Sequence, residues 1–167
     1  MKRHVGLIVL LAMVGCATTA TPREEVRFVK PRTDADPVGA EVDVDRQMIR
    51  AGEVFELSVT LNIAPSYEIQ DRHAPPPAIA TSVELKPPAG FQAAGDWSSP
   101  QSVRSQWPDG HSVYVGEARF TRQVRVEKQV KAGEYKLDCA VRYQACNDRY
   151  CLPPISFKLP AIVNVQR

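Results

Sequence analysis

"GEYKLDCAVRYQACNDRYCLPPISFKLPAIVNV", residues 133–165, alternates apolar and polar side chains, pauses at Asn-Asp-Arg-Tyr, and alternates again. Its first part puts Tyr135, Leu137, Cys139, Val141 and Tyr143 on one face, against Lys136, Asp138 and Arg142. Its last part runs from Ile155 through Phe157 and Leu159 to Val163 and Val165. A period of two marks a half-buried strand, because successive side chains of extended backbone point to opposite sides. Pro160 has no N–H to give to a ladder, which places it at a sheet edge or a bulge.

The same period recurs upstream. In VFELSVTLNI (54–63), Phe55, Leu57, Val59 and Leu61 share a face. ATSVELK (80–86) repeats it through Val83 and Leu85, and EARFTRQVRV (117–126) through Ala118, Phe120, Val124 and Val126. No long stretch keeps a helical period. Seven or so short strands between Pro- and Gly-rich turns predict an all-β fold, an immunoglobulin-like antiparallel β-sandwich forming one domain at 41–167. There is no Gly-rich phosphate loop, no Gly-x-Ser-x-Gly elbow and no internal repeat, so any chemistry is expected from sulfur.

The chain opens MKRHVGLIVLLAMVGC. Lys2 and Arg3 precede an apolar run from Val5 to Met13, shorter than the ~20 residues a spanning helix needs, which reads as an export signal at 1–15. Met13-Val14-Gly15-Cys16 resembles a bacterial lipobox, with Cys16 as the lipid attachment site; a plain cleaved signal with an incidental cysteine is the alternative. The expected location is the periplasmic side of a bacterial membrane, outer membrane favoured because Ala17, not Asp, follows Cys16. Residues 16–40, polar and broken by Pro22, Pro31 and Pro37, read as lipidated terminus and tether, with a short strand at Val26–Val29.

Removing residues 1–15 removes two of the 21 basic residues, leaving 19 against 19 acidic ones. A net charge near zero gives no electrostatic case for nucleic acid, and the membrane is met through the anchor alone.

An exported chain sits where disulfides persist, and besides Cys16 it has Cys139, Cys146 and Cys151. Cys139, between Leu137 and Val141, reads as a small core hydrophobe. Cys146 and Cys151 flank the turn Asn147-Asp148-Arg149-Tyr150, which can bring their Cα atoms within bridging distance. A pair so close in sequence gains only about 2 kcal/mol by chain entropy, so structural staple and exchangeable bridge both stay open. A metal clip would draw His73 and His111 to the pair, but the usual second ligand pair is absent and no metal or other cofactor is expected.

"YQACNDRYCLPP" (143–154), following a strand that begins at Gly133, resembles the signature of the N-terminal periplasmic domain of the DsbD thiol:disulfide interchange family. "VYVGEARF", "GFQAAGDWSSP" and "IAPSYEIQ" are similar to further segments, the last two to turns, and the resemblance spans roughly residues 40–165. It implies an immunoglobulin-like fold and a redox pair, Cys146 and Cys151, with Cys151 forming the mixed disulfide. Anchored on Gly116, it also implies that Tyr114 caps the sulfurs; the alternative is a Tyr packed on the sheet. The implied partners are thioredoxin-fold periplasmic proteins and a separate membrane electron donor, served by a monomer. Arg149 in the loop could favour a thiolate. The competing function is a non-catalytic docking lipoprotein whose disulfide only orders the loop.

Overall fold

In the computed structural model, which describes residues 28–107 and 110–167, the alternating segments are strands and no helix occurs among the described residues. The strands are β1 (Phe28–Lys30), β2 (Val38–Val44), β3 (Met48–Arg50), β4 (Val54–Ile63), β5 (Glu68–Gln70), β6 (Ser82–Lys86) and β7 (Phe91–Ser98). They continue with β8 (Val103–Arg104), β9 (Ser112–Tyr114), β10 (Glu117–Val126), β11 (Gly133–Tyr143), β12 (Ala145–Cys146) and β13 (Ile155–Gln166). The expected signal, the lipid site Cys16 and the first part of the tether lie outside the described residues.

Two sheets form the immunoglobulin-like sandwich, in orders β1-β2-β4-β10-β7 and β3-β13-β11-β6; a third, small sheet runs β12-β5-β9-β8. The inward faces are those marked by periodicity. Phe55, Leu57, Val59 and Leu61 of β4 are fully buried, as are Leu137, Cys139 and Tyr143 of β11. Burying such side chains is worth about 1.5–3 kcal/mol each, and alternation commits every second residue to that gain. Phe91 of one sheet meets Tyr135 of the other with ring centroids 4.9 Å apart. Pro160 pairs with Asp138 on β11, while β3 covers only Asn164–Gln166 on the other side, so the strand is open to one side where its N–H is missing.

Two expectations are corrected. The tether does not reach residue 40: Phe28–Lys30 pair with Val42–Ala40, and Val38 and Ala40 are in the core. Three apolar side chains at even positions, Val38, Ala40 and Val42, carry this strand, and Pro31 and Pro37 just before it mask the pattern. Residues 91–98, expected as a turn, form β7 on β10, with the register shifting between Thr121 and Gln123. Gly95 in β7 has φ +70°, and such a position disguises a bulged strand as a turn in sequence.

Candidate redox site

The third sheet builds the site, and its register decides what faces what. Ile69 pairs with both Ala145 and Tyr114, whereas Glu68 pairs with Cys146 and Gln70 with Val113. Paired residues share a face and neighbours along a strand alternate. Hence Ile69, Ala145 and Tyr114 point into the sandwich core. Cys146, Glu68, Gln70 and Val113 point the other way.

Beyond β12 the chain makes a tight hairpin. Asn147 Oδ1 accepts the backbone N–H groups of Arg149 at 2.9 Å and Tyr150 at 3.0 Å, an Asx turn that only a short amide or carboxylate side chain closes. Asn147 N–H donates to Tyr150 O at 3.0 Å and Leu152 N–H to Ala145 O at 2.8 Å. Cys146 and Cys151 thereby face each other as an antiparallel bridge, Cα atoms 4.0 Å apart, and form a disulfide. The two sulfurs differ in surroundings: Cys146 is 2% exposed, whereas Cys151 is open to solvent.

A cleft of about 270 Å³ runs along the pair, lined by Gln70, the Pro75–Pro77 run, His111 and Gln144 together with both cysteines. The proline segment is held at its base, where Asp71 N–H donates to Ser112 O and the Thr81 hydroxyl to Gln70 O. Gln144 Nε2 donates to Leu152 O at 2.9 Å, steadying the strand that leaves Cys151. Beside Cys146, Glu68 is 6% exposed, and burial pushes its carboxyl pKa up. The Ser105 hydroxyl, donating to it at 2.9 Å, and nearby His111 act in the opposite sense.

Tyr114 does not cap the sulfurs. Its ring is 3% exposed and meets Phe120 edge-on at 5.5 Å, while its hydroxyl accepts the Arg72 N–H at 3.4 Å. The cause is parity: a residue opposite Ile69 shares the core face, and Val113, one place earlier, lies on the face of Cys146. The Pro75–Pro77 run lines the cleft beside the cysteines instead. The triple proline is plain in the sequence, but nothing local shows that it lines a cleft with cysteines some seventy residues away. Gln70 and Glu68 were missed for the same reason, since their face follows from pairing with β12. His73 is apart from the cysteine cleft, its N–H held by Asp71 Oδ1 at 2.8 Å. Cys139 is fully buried, with its thiol pKa pushed up to about 12 by desolvation and the nearby Asp138. Arg149 is exposed in the turn.

No family model matches the chain, and no curated protein matches it by sequence. Among solved structures, the N-terminal periplasmic domain of ScsB from Proteus mirabilis superposes with a TM-score of 0.51 at 11% identity. That match covers 84% of this chain and 51% of that one, so the chain spans about half the length of this relative. The N-terminal domain of DsbD from Neisseria meningitidis matches in its reduced form at TM-score 0.41 and 20% identity, covering 66% of this chain and 82% of that one. In its complex with the PilB N-terminal domain the values are 0.40 and 16%, covering 63% and 73%. The GAE domain of GGA2p from Saccharomyces cerevisiae gives 0.43 and 10%, covering 84% and 98%. The chain has the sandwich fold of the ScsB N-terminal periplasmic domain, as expected of a DsbD-like N-terminal domain, and joins by a disulfide the two cysteines that the sequence resemblance singled out.

Proposed function

We propose that the chain is an extracytoplasmic thiol–disulfide exchange module, tethered by a lipid at Cys16 and passing electrons between thioredoxin-fold proteins through Cys146 and Cys151. The observation that carries this reading is the asymmetry of the pair: one cysteine buried, its partner exposed where the hairpin turn closes. An attacking or attacked sulfur must be reached in line by a second protein, and the exposure of Cys151 supports that role for it. In the reduced protein, the Cys151 thiolate attacks a partner disulfide; a bond forms to one partner sulfur and the other leaves as a thiolate. Cys146, deprotonated, then attacks Cys151 Sγ, the partner's remaining sulfur leaves, and the 146–151 bond closes. Two electrons have passed to the partner.

A staple that only ordered the hairpin would have no use for one exposed sulfur beside a cleft. Equilibrating the purified protein in graded glutathione buffers and counting free thiols by mass tests the reading. The pair is expected to open and close across the series; a bond that stays shut in strongly reducing glutathione rejects the carrier role. Trapping with Cys146→Ser should then leave a thioredoxin-fold protein covalently attached to Cys151.

A further inference from the structure

Gln70 presents an imbalance in the hydrogen-bond accounting of the site. It is 9% exposed, and its side-chain Oε1 is buried with no hydrogen-bond partner among the described residues. Buried carbonyl oxygens are rarely left so, because an unmade bond forfeits the solvation the oxygen had in the unfolded chain. The backbone carbonyl of Gln70 is engaged, accepting the Thr81 hydroxyl at 2.6 Å. The idle atom belongs to the side chain, and that side chain lines the cleft of the two cysteines.

Register brings it to one sulfur in particular. With Glu68 opposite Cys146, Gln70 is the diagonal neighbour of Cys146 on the same sheet face. Diagonal neighbours stand about 7–8 Å apart at Cα, within reach of a side chain as long as glutamine. Cys146 is the sulfur that water does not reach, being 2% exposed. In the disulfide it has no hydrogen to donate. Reduction by two glutathione thiols breaks the Sγ–Sγ bond, puts one hydrogen on each cysteine sulfur and releases glutathione disulfide. A buried S–H donor then appears where no water can accept from it, and Cys151 has solvent for the same purpose.

We propose that Gln70 Oε1 is the acceptor for the Cys146 thiol in the reduced protein, idle while the disulfide is closed. The residue thereby favours the dithiol: it removes an unmade bond from the reduced state and leaves one in the oxidised state. Gln70 is a positioning and poise-setting residue, not one that exchanges electrons. The inference rests on the exchange reading above, in that a poise matters only for a pair that opens.

The test is the glutathione equilibrium of Gln70→Met, which keeps the length of the side chain and removes the acceptor. The equilibrium constant for reduction is expected to fall about fivefold or more, a sulfur–oxygen bond and a relieved orphan both acting in that direction. A constant unchanged within about twofold, on the same scale, overturns the proposal. So does a slower exchange with a protein partner at an unchanged glutathione equilibrium, which would make Gln70 a docking contact. A second measurement needs neither that variant nor turnover. Cys16→Ser, Cys139→Ala and Cys151→Ser together leave Cys146 as the one thiol, and its infrared S–H stretch reads the bond directly. A band below the free-thiol frequency supports the assignment, and a band at that frequency overturns it. A wild-type disulfide that never opens in glutathione would sink the exchange reading, yet the infrared band would still decide the role of Gln70.

Discussion

The Tyr143 hydroxyl lies 2.8 Å and 2.9 Å from the two carboxylate oxygens of Asp36, tying the end of β11 to a residue 107 positions earlier. Lys30 completes the cluster: its Nζ pairs with the same carboxylate and donates to Val38 O and the Tyr143 hydroxyl. A buried carboxylate and phenol and a half-buried ammonium thus satisfy one another where β1 and β2 close the sandwich. Tyr143→Phe deletes the O–H and leaves the carboxylate short of a donor, at a cost of about 1–3 kcal/mol. Urea unfolding at neutral pH measures it. A loss near zero would mean that the N-terminal strands are not locked to β11 as described.

Cys139 gives a pH dependence. Its thiol is held at about 12, above the ordinary 9.0, by desolvation and by Asp138. A folded-state value above the unfolded one means that the native protein keeps its proton longer. The resulting stability is complete below about pH 9 and is lost as pH rises through 12. Tyr143, also raised, by burial and then by Asp36, adds its own loss at higher pH. Wild type should therefore lose stability more steeply than Cys139→Ala as pH is raised from 9 toward 12. Equal slopes in paired urea titrations would show that this thiol ionises as freely folded as unfolded. The same burial predicts that iodoacetamide labels Cys139 only after denaturation.

Tyr114 separates a core residue from a cap. Its contact with Phe120 on the core face predicts that Tyr114→Ala costs about 3–5 kcal/mol, while Tyr114→Phe, losing only the hydroxyl, costs about 1 kcal/mol. Neither the rate of disulfide reduction by a small thiol nor its equilibrium should change in Tyr114→Phe or Tyr114→Leu. A cap would give the opposite pattern, near-neutral stability and faster reduction when the ring is trimmed. Replacing Pro75, Pro76 and Pro77 together by Ala should be the change that speeds reduction, since those residues line the cleft.

The contrast between β11 and β5 shows where the sequence is informative. Eleven alternating residues of β11 carry their own face assignment, because burial rewards every second side chain and no partner strand need be known. The three residues of β5, Glu-Ile-Gln, are all buried, so no contrast of exposed and buried positions marks the faces. Their orientation is set by Ala145 and Cys146, seventy-odd residues downstream, and such long-range register has no local signature. The disulfide itself was within reach, since Asn and Asp between two cysteines announce the turn that joins them. Tyr114 failed by a single residue of register, which is enough to send a side chain through the sheet to its other face. The short strand expected at Val26–Val29 overlaps β1, but the start of β2 was hidden because Pro31 and Pro37 look like linker, although Lys30 and Asp36 beside them form an ion pair.

The exposure difference between Cys146 and Cys151 makes the final prediction, in which kinetics and stability must agree. After reduction, a small alkylating reagent meets Cys151 at the surface, whereas Cys146 is covered by the cleft walls. Cys151 should be labelled at least about tenfold faster, followed by mass spectrometry of peptides from a time course. The difference should shrink when Pro75–Pro77 are replaced. Meanwhile the loop closed by the bond is short, with a separation of 5 residues, and chain entropy assigns it only about 2 kcal/mol. Cys146→Ser/Cys151→Ser should therefore stay folded, with an unfolding free energy lowered by that amount, read as a lower urea midpoint at an unchanged slope. Collapse of the fold in that variant would make the bridge a structural necessity, and a protein that must keep its bond closed to remain folded is poorly suited to hand its electrons away. Equal labelling rates would remove the asymmetry from which the order of attack, Cys151 first and Cys146 second, was derived.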